Sequence, residues 1–259
     1  MRATLTVLGS GTSMGVPTIG CDCAVCHSAD PHDRRTRPSV MVEWEGHRVL
    51  IDTTPDFREQ ALREGINRID AVLYTHGHAD HILGLDDLRP LSFPRVTRGG
   101  KLPLYANEST SRALRSVFKY IFDADYKFGG LAQVEIHEIN GPVDVFGLTF
   151  TPITVIHGDA EIYGYRFGSA AYLTDFSEVP EDSLAQLRDL DILFLDALRY
   201  KPHPTHSTVE SSLKIAERLM PRRTFFTHIA HDLAHAATNA GLPEHVRLAH
   251  DGLRLEFDI

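Results

Sequence analysis

The stretch Thr75-His76-Gly77-His78-Ala79-Asp80-His81 places three histidines and an aspartate within six residues. It directly follows Ala71-Val72-Leu73-Tyr74, an apolar run whose length predicts a buried strand. Three imidazoles and a carboxylate in one loop would repel on protonation and would be costly to desolvate unless a cation joined them. Nitrogen and oxygen ligands of this kind suit Zn, Mn or Fe. The alternative is a histidine-rich surface loop, and the residue types favour a metal site over it.

The composition is typical of a globular protein, with 42% hydrophobic and 24% charged residues in a chain of 259. A chain of this length can bury a sizeable core. No apolar run has the length needed to cross a bilayer. Residues 1–8 predict a first strand and not a signal peptide. We therefore expect a cytoplasmic protein without a membrane partner.

Charge and cysteine content restrict the partners. The formal net charge of −9, with no basic stripe, argues against a nucleic-acid partner. We expect a small-molecule substrate, and a homodimer as the default oligomer because dimers are the commonest assemblies. The three cysteines all lie between positions 21 and 26, and an odd number in one short segment does not make a disulfide framework.

Short apolar runs recur along the chain and predict strands. They are residues 5–8, 40–42, 49–51, 71–74, 102–105, 148–156, 163–167, 170–173, 192–195, 224–226 and 253–257. Helical periodicity appears at residues 57–62, 109–118, 184–190 and 209–219. No repeat or linker interrupts the chain, so we expect a single domain over residues 1–259 with helices flanking sheets.

Three further candidate ligands stand at the ends of predicted strands. His157 follows the run 148–156, Asp175 comes soon after 170–173, and His228 comes soon after 224–226. One such residue would indicate only a turn former or a helix cap. Three repetitions of the pattern favour one shared site at a common sheet edge.

With His-x-His-x-Asp-His followed by a histidine, an aspartate and a histidine, the whole chain resembles the metallo-β-lactamase superfamily. The resemblance implies an α/β fold, an αββα sandwich of two mixed sheets flanked by helices. It also implies a dinuclear site with one metal bound by His76, His78 and His157, a second bound by Asp80, His81 and His228, and Asp175 as the bridge. Asp52, after the run 49–51, matches the superfamily's earlier aspartate, which orients the ligand loop. Its alternative interpretation is a strand-end turn residue.

Such a site has a well-defined chemistry. Two cations about 3.5–4 Å apart lower the pKa of a shared water and give a metal-bridged hydroxide near neutral pH. They also neutralise charge that develops on a phosphoryl or carbonyl oxygen. The resemblance therefore implies a hydrolase in which Asp80 and Asp175 act through two divalent metals, Zn or Mn, with Fe as the alternative.

The segment Gly20-Cys21-Asp22-Cys23-Ala24-Val25-Cys26 supplies three thiols in one loop. Thiolates select Zn, and a closed structural zinc site takes four ligands. Because no fourth cysteine exists, a Cys3His site is expected, with His231 favoured as the fourth ligand and His27 as a local competitor. The alternative is three free thiols that pack as small hydrophobic groups.

Within the superfamily, this cysteine motif after Gly9-Ser10-Gly11-Thr12-Ser13 is similar to the phosphoribosyl 1,2-cyclic phosphate phosphodiesterase (PhnP) branch. Further matching features are Asp33-Arg34-Arg35 and Thr227-His228-Ile229-Ala230-His231-Asp232. The resemblance implies a structural zinc bound by Cys21, Cys23, Cys26 and His231. It also implies hydrolysis of a cyclic ribose phosphodiester.

His206 is the candidate proton donor. It precedes Ser207, which with Glu210 fits a capping box at the start of the helix 209–219. Helix N-termini attract phosphate, so a histidine there can bind a phosphoryl oxygen or act as general acid. Related phosphodiesterases and tRNA-processing enzymes place a functional histidine in this neighbourhood. His203 is the competitor, and we favour His206.

The leading hypothesis is a dinuclear metal-dependent phosphodiesterase acting on a small, cyclic ribose phosphodiester. The alternatives are a cofactor-biosynthesis protein of the PqqB type, a thioesterase, an RNase Z-like nuclease, and a metal-binding sensor without turnover. The chain offers Asp175 where lactamases usually carry a cysteine bridge, and it has no basic insertion that would clamp RNA. We expect the loops 88–100 and 124–130 to set substrate selectivity.

Overall fold

The computed structural model describes residues 1–97, 99–123, 125–126 and 130–259. Residues 98, 124 and 127–129, which belong to the two loops expected to set selectivity, lie outside this part. The strands are Arg2–Gly9 (β1), Ser39–Trp44 (β2), His47–Ile51 (β3), Ala71–Leu73 (β4), Leu102–Ala106 (β5), Val134–Glu138 (β6), Val143–Val145 (β7), Leu148–His157 (β8), Ala160–Phe167 (β9), Ala170–Leu173 (β10), Ile192–Asp196 (β11), Arg223–Thr227 (β12), Val246–Leu248 (β13) and Arg254–Asp258 (β14).

The helices lie between and after these strands. They are Phe57–Arg63 (α1), Ala79–Ile82 (α2), Pro94–Thr97 (α3), Glu108–Val117 (α4), Lys119–Phe122 (α5), Glu181–Leu184 (α6), Val209–Leu219 (α7) and His235–Gly241 (α8), with 3-10 segments at Pro31–Asp33 and Leu83–Leu91. No helix of the described residues is long and apolar enough to cross a membrane.

The strands form two seven-stranded mixed sheets, with the orders β14-β1-β2-β3-β4-β5-β6 and β13-β12-β11-β10-β9-β8-β7. In the first sheet β3 and β4 run parallel, and in the second β10, β11 and β12 run parallel. Parallel strands bring their carboxyl ends to one edge, where ligands usually bind in open α/β sheets. The residues that follow β4, β10 and β12 are therefore placed for a shared site.

Burial shows how the two sheets face each other. Leu5 and Val40 of the first sheet pack in one core with Phe150 and Phe194 of the second. The outer face of the first sheet packs against α1 and α4, and the outer face of the second packs against α7. The predicted αββα sandwich of two mixed sheets flanked by helices is confirmed.

Three strands escaped the sequence prediction, namely β6, β7 and β13. Each stands at an edge of its sheet, so one side of its backbone has no neighbouring strand among the described residues. Their short sequences Val-Glu-Ile-His-Glu, Val-Asp-Val and Val-Arg-Leu contain polar residues that suit such an edge. A search for apolar runs finds interior strands and misses edges of this kind.

Two local predictions were wrong. The helix expected at residues 184–190 ends at Leu184, and the spacing of the buried leucines 184, 187 and 190 only imitates a helical face. The expected N-cap Ser207 is also corrected, because the side chain of Thr208 accepts from the Ser211 N–H and caps α7. Ser207 is buried instead, and its hydroxyl lies 2.7 Å from that of Ser212.

Candidate dinuclear metal centre and Cys3His cluster

The candidate ligands meet at the carboxyl ends of strands from both sheets. Asp52 follows β3, the histidine loop follows β4, and His157 ends β8. Asp175 and His228 follow β10 and β12. Asp52, Asp175 and His228 adopt left-handed backbone conformations, with φ of 66°, 57° and 57°. Side chains other than glycine enter this region at a cost of about 1–3 kcal/mol when the surroundings hold them there. Such strain is concentrated at functional sites.

The first predicted triad is assembled as the sequence indicated. Ring nitrogens of His76, His78 and His157 all lie within 4.8 Å of one another. The Nε2 atom of His76 is 3.0 Å from Nδ1 of His78. The Nδ1 atom of His157 lies 2.8 Å from the carbonyl oxygen of Thr205 and donates to it, which leaves Nε2 of His157 as the ligand atom.

The second group contains Asp80, His81, Asp175 and His228, all buried, with ligand atoms within 4.8 Å of one another. The Nε2 atom of His228 lies 3.2 Å from Oδ2 of Asp175, and the Nε2 atom of His81 lies 3.3 Å from Oδ1 of the same residue. Oδ2 of Asp175 is also 3.9 Å from Nε2 of His76 in the first triad. Asp175 therefore lies between the two groups, where a bridging carboxylate is expected.

The chemistry of this pocket fits divalent cations. The Nε2 atoms of His81 and His228 are buried and have no hydrogen-bond partner among the described residues. Burial opposes a positive charge on His228, yet Asp175, Asp80 and Asp196 raise its pKa to about 9. Burial alone would raise the pKa of Asp80. The neighbouring histidines His81 and His228 instead hold it well below its ordinary value. The carboxylates thus favour positive charge at this point, and a divalent cation held by these residues would supply it in place of the imidazole protons.

Asp52 supports the ligand loop from behind. Its Oδ2 atom lies 2.7 Å from Nδ1 of His81, and its Oδ1 atom accepts from the Thr75 N–H at 2.8 Å. The Thr75 hydroxyl donates to Asp52 and lies 3.0 Å from Nδ1 of His76. These contacts fix the tautomers of His76 and His81 so that both present Nε2 to the centre. These contacts are the ones that an orienting role of Asp52 requires.

His206 lies beside the candidate metal ligands, and its hydrogen-bond partner was missed in the sequence analysis. Nδ1 of His206 is 2.7 Å from Oδ2 of Asp196, the last residue of β11. The ring of His206 stacks on His228 with centroids 4.5 Å apart. Burial raises the pKa of Asp196, against the hydrogen bond from His206. Asp196 follows the apolar run 192–195, so the strand-end pattern that identified Asp175 could have found it.

His203, the competing histidine, has a different environment. Its Nδ1 accepts from the N–H of Thr205 at 3.3 Å, and its ring centroid is 5.0 Å from that of His206. Burial and the charges of His206 and Arg199 lower its pKa. It belongs to none of the groups of ligand atoms found in the described part of the chain.

The three cysteines converge on His231, as expected. Nδ1 of His231 lies 3.1 Å from Sγ of Cys21 and 3.5 Å from Sγ of both Cys23 and Cys26. Bonds of about 2.3 Å to sulfur and about 2.0 Å to nitrogen can span these separations around one zinc ion. His27, the local competitor, instead lies 3.4 Å from Asp22.

The thiols of the cluster differ in acidity. Hydrogen bonds from the backbone, above all from Cys26, lower the pKa of Cys23 to about 6. Burial raises the pKa of Cys26 to about 11. A bound cation would hold all three as thiolates.

Comparison with known proteins agrees with this architecture. Residues 47–229 match the model of the beta-lactamase superfamily domain. A structure solved as a new diphosphatase from the PhnP family is 69% identical, with 99% of this chain and 98% of that chain covered and a TM-score of 0.95.

Two curated relatives are more distant. An octanoyltransferase of Porphyromonas gingivalis is 38% identical over 257 residues, covering 97% of this chain, but this chain spans only 51% of that protein. Coenzyme PQQ synthesis protein B of Methylobacterium nodulans is 39% identical over 224 residues, which cover 73% of this chain and 71% of that protein.

Proposed function

Since this chain belongs to the PhnP family of metal-dependent hydrolases in the beta-lactamase superfamily, we propose that it hydrolyses a small phosphate compound at phosphorus. The position of His206 carries the proposal. One of its ring nitrogens lies within 4.8 Å of an Asp175 carboxylate oxygen and of a His157 ring nitrogen. This position next to the candidate metal ligands supports a role for His206 as proton donor to the leaving oxygen.

The seven residues of the dinuclear centre hold two cations in this proposal, Zn or Mn. They are His76, His78, Asp80, His81, His157, Asp175 and His228. When bound, two divalent cations lower the pKa of a shared water and neutralise charge on the phosphoryl oxygens. A third ion, Zn, belongs to the Cys3His cluster (Cys21, Cys23, Cys26 and His231).

The polar groups around His206 orient its ring and leave one nitrogen to donate a proton. Asp196 accepts from Nδ1 of His206 and from the N–H of Phe176, so the carboxylate is held in place and fixes the ring of His206. Because Asp196 engages Nδ1, the other ring nitrogen of His206 is free to donate a proton to the leaving oxygen. Thr205 holds His157 through its carbonyl, so one loop sets both the donor and a ligand.

A compound with a diphosphate bond is the substrate class that we favour. The support is the relative solved as a diphosphatase, which shares 69% of its residues with this chain over nearly the full length of both. A cyclic ribose phosphodiester is the second candidate, and the resemblance to the PhnP cyclic phosphodiesterases favours it. Both reactions need the same nucleophile, charge neutralisation and protonated leaving oxygen.

Hydrolysis of defined substrates tests the proposal. Protein purified with Zn or Mn is incubated with ADP, inorganic diphosphate, ribose cyclic phosphates and bis(p-nitrophenyl) phosphate, and the products are quantified. We expect turnover of a diphosphate or a cyclic phosphate. The His206→Ala variant, with its metal content measured, shows whether the activity belongs to this protein. If none of the four compounds is cleaved with either metal, the proposal is wrong.

A cofactor-biosynthesis role remains the competing function, because the relative from Methylobacterium nodulans is named for synthesis of coenzyme PQQ. The same experiment separates the two, since that role predicts no turnover of simple phosphates. The octanoyltransferase name supports no proposal here, because about half of that protein lies outside the match.

A further inference from the structure

Arg35 is a buried cation outside both metal sites. Its side chain is 0% exposed, and Nη2 donates to Oδ1 of Asp33 at 2.8 Å. Burial lowers the pKa of Arg35, and the nearby carboxylates of Asp33 and Asp251 oppose that shift. A guanidinium in this position is costly unless several acceptors surround it. Its other acceptors therefore indicate what the residue holds.

Nε of Arg35 donates to the carbonyl of His32 at 3.2 Å, and its two remaining acceptors lie on the loop that carries candidate ligands of both metal sites. Nη1 of Arg35 donates to the carbonyl of Ala230 at 3.1 Å, and Nη2 donates to the carbonyl of Leu233 at 2.7 Å. Oδ1 of Asp33 accepts from the N–H of His235 at 2.8 Å. The Asp33–Arg35 pair thus fixes the backbone on both sides of His231.

The other end of the loop is tied to the same segment. The N–H of Ile229 donates to the carbonyl of Ser10 at 2.9 Å, and the carbonyl of Ile229 accepts from Thr12 at 3.1 Å. The backbone of Arg35 in turn pairs with Val16 in both directions, at 2.7 and 2.9 Å. The path between His228 and His231 is therefore held from one side by residues 10–16 and Arg35.

His228 depends on such support. It has a left-handed backbone at φ 57°, a conformation that histidine adopts only when its surroundings impose it. Only two residues separate it from His231, so a shift of the cluster ligand changes the direction in which His228 points. A planar guanidinium that donates to four acceptors at once, two of them on this loop, is suited to transmit such a shift.

We propose that Arg35 is a positioning residue that couples the Cys3His cluster to the dinuclear centre, so that an ion held by His231 strengthens binding of the cation that His228 ligates. The inference rests on the metal centres of the proposed function and not on its substrate. It assigns the cluster an effect on cation affinity at the dinuclear centre. Such coupling is demonstrated only when the losses of cation affinity caused by two changes are not additive.

A double-mutant cycle on metal affinity measures this coupling. Metal-free wild type, Cys23→Ser, Arg35→Lys and the double variant are titrated with Co(II). Thiolate charge-transfer absorption reports occupation of the cluster, and the d–d absorption that develops without a change in the charge-transfer band reports the dinuclear centre. We expect each single change to raise the dissociation constant of the weaker dinuclear ion about tenfold. The double variant should be no weaker than the single ones, because the cluster and Arg35 act through one path.

Lysine keeps the charge of Arg35 but cannot contact Asp33 and both carbonyls at once. The matched control is Arg34→Lys, a neighbouring exposed side chain, which should leave the titration unchanged. Thermal unfolding confirms that each variant is folded. Should Arg35→Lys not fold, Asp33→Asn replaces it in the cycle, because it weakens the same contacts while keeping an acceptor for His235.

The outcomes separate cleanly. If either single change leaves the dinuclear dissociation constant unaltered, or if the effects add to about a hundredfold in the double variant, the coupling is wrong while the proposed function stands. If the wild-type chain binds no Co(II) at the dinuclear centre, both proposals are wrong. Non-additive loss supports the role of Arg35.

Discussion

Oδ2 of Asp196 lies 2.7 Å from Nδ1 of His206, and the two residues come from the end of β11 and the loop before α7. The Asp196 carboxylate is fully buried, whereas the His206 imidazole is 12% exposed. A buried acceptor fixes one nitrogen of the ring and leaves the other available to a substrate. The pair has the geometry of an oriented acid or base.

Replacing the proton donor should remove turnover without removing the metals. His206→Asn is expected to lower kcat by about 10²–10⁴-fold, because general acid catalysis typically contributes that much. Steady-state kinetics together with metal analysis of the same sample check this. His203→Ala is the comparison variant and should change kcat little. A larger loss in His203→Ala, with metals retained, would reverse the assignment.

Asp196→Asn tests the orienting carboxylate alone. Asparagine keeps an acceptor for the Phe176 N–H but removes the carboxylate charge that faces Nδ1 of His206. We expect a smaller loss of kcat than in His206→Asn, and no further loss when both changes are combined, because the two residues act as a unit. Independent, multiplicative losses would show that Asp196 acts elsewhere.

The contact between Asp52 and His81 predicts a change in metal affinity. Asp52→Asn keeps an oxygen acceptor for the Thr75 N–H but weakens the hold on Nδ1 of His81. Loss of such a partner typically costs about 10- to 100-fold in metal affinity. Competition with a fluorescent chelator measures the dissociation constants, and unchanged values would make Asp52 a purely structural residue.

Removal of the metals should abolish activity through the dinuclear centre and lower stability through the Cys3His cluster. We expect about three ions per chain, two at the dinuclear centre and one in the cluster, because a closed cluster and a two-ion centre have these ligand sets. Dialysis against a strong chelator should abolish turnover and lower Tm. Elemental analysis and thermal unfolding before and after dialysis check both. The Cys26→Ser variant should bind one ion fewer and have a lower Tm than wild type. It should keep the two ions of the dinuclear centre.

His235 predicts a pH dependence of stability. Burial, followed by the charges of His32, Arg35 and His250, lowers its pKa from 6.5 to about 4. The unfolded chain therefore takes up a proton between these values that the folded chain does not, so this residue lowers stability as pH falls from about 6.5 to about 4. His235→Asn should reduce the slope of unfolding free energy against pH over that interval.

Denaturant titrations at pH 7 and pH 5 measure the difference between wild type and the His235 variant. Because both proteins carry the same metal ligands, the metal contribution to the pH dependence largely cancels. The exposed His137→Asn variant serves as the control and should keep the wild-type slope. A slope that is identical in wild type and His235→Asn would contradict the prediction.

The sequence by itself determined the sandwich fold and the ligand types. Interior strands are continuous apolar runs in the sequence. A histidine or an aspartate at the end of such a run can therefore be recognised from the sequence alone. The cysteine segment was readable because thiolates within one short loop can meet without help from distant parts of the chain. The identity of the residue directly after an apolar run is a property of the chain alone.

Only the tertiary structure decided which groups act together. Asp196 contacts His206 across ten positions, and Arg35 contacts Ala230 across 195. Hydrogen bonds of this kind depend on the order of strands in a sheet and on the path of loops between sheets, neither of which has a local signal. The edge strands and the N-cap at Thr208 were not predicted for a related reason. Several residue types are compatible with an edge strand or a helix cap, so the local sequence does not distinguish between neighbouring candidates. The chain encodes its candidate ligands locally, whereas their supporting contacts exist only after segments distant in sequence have been brought together by the fold.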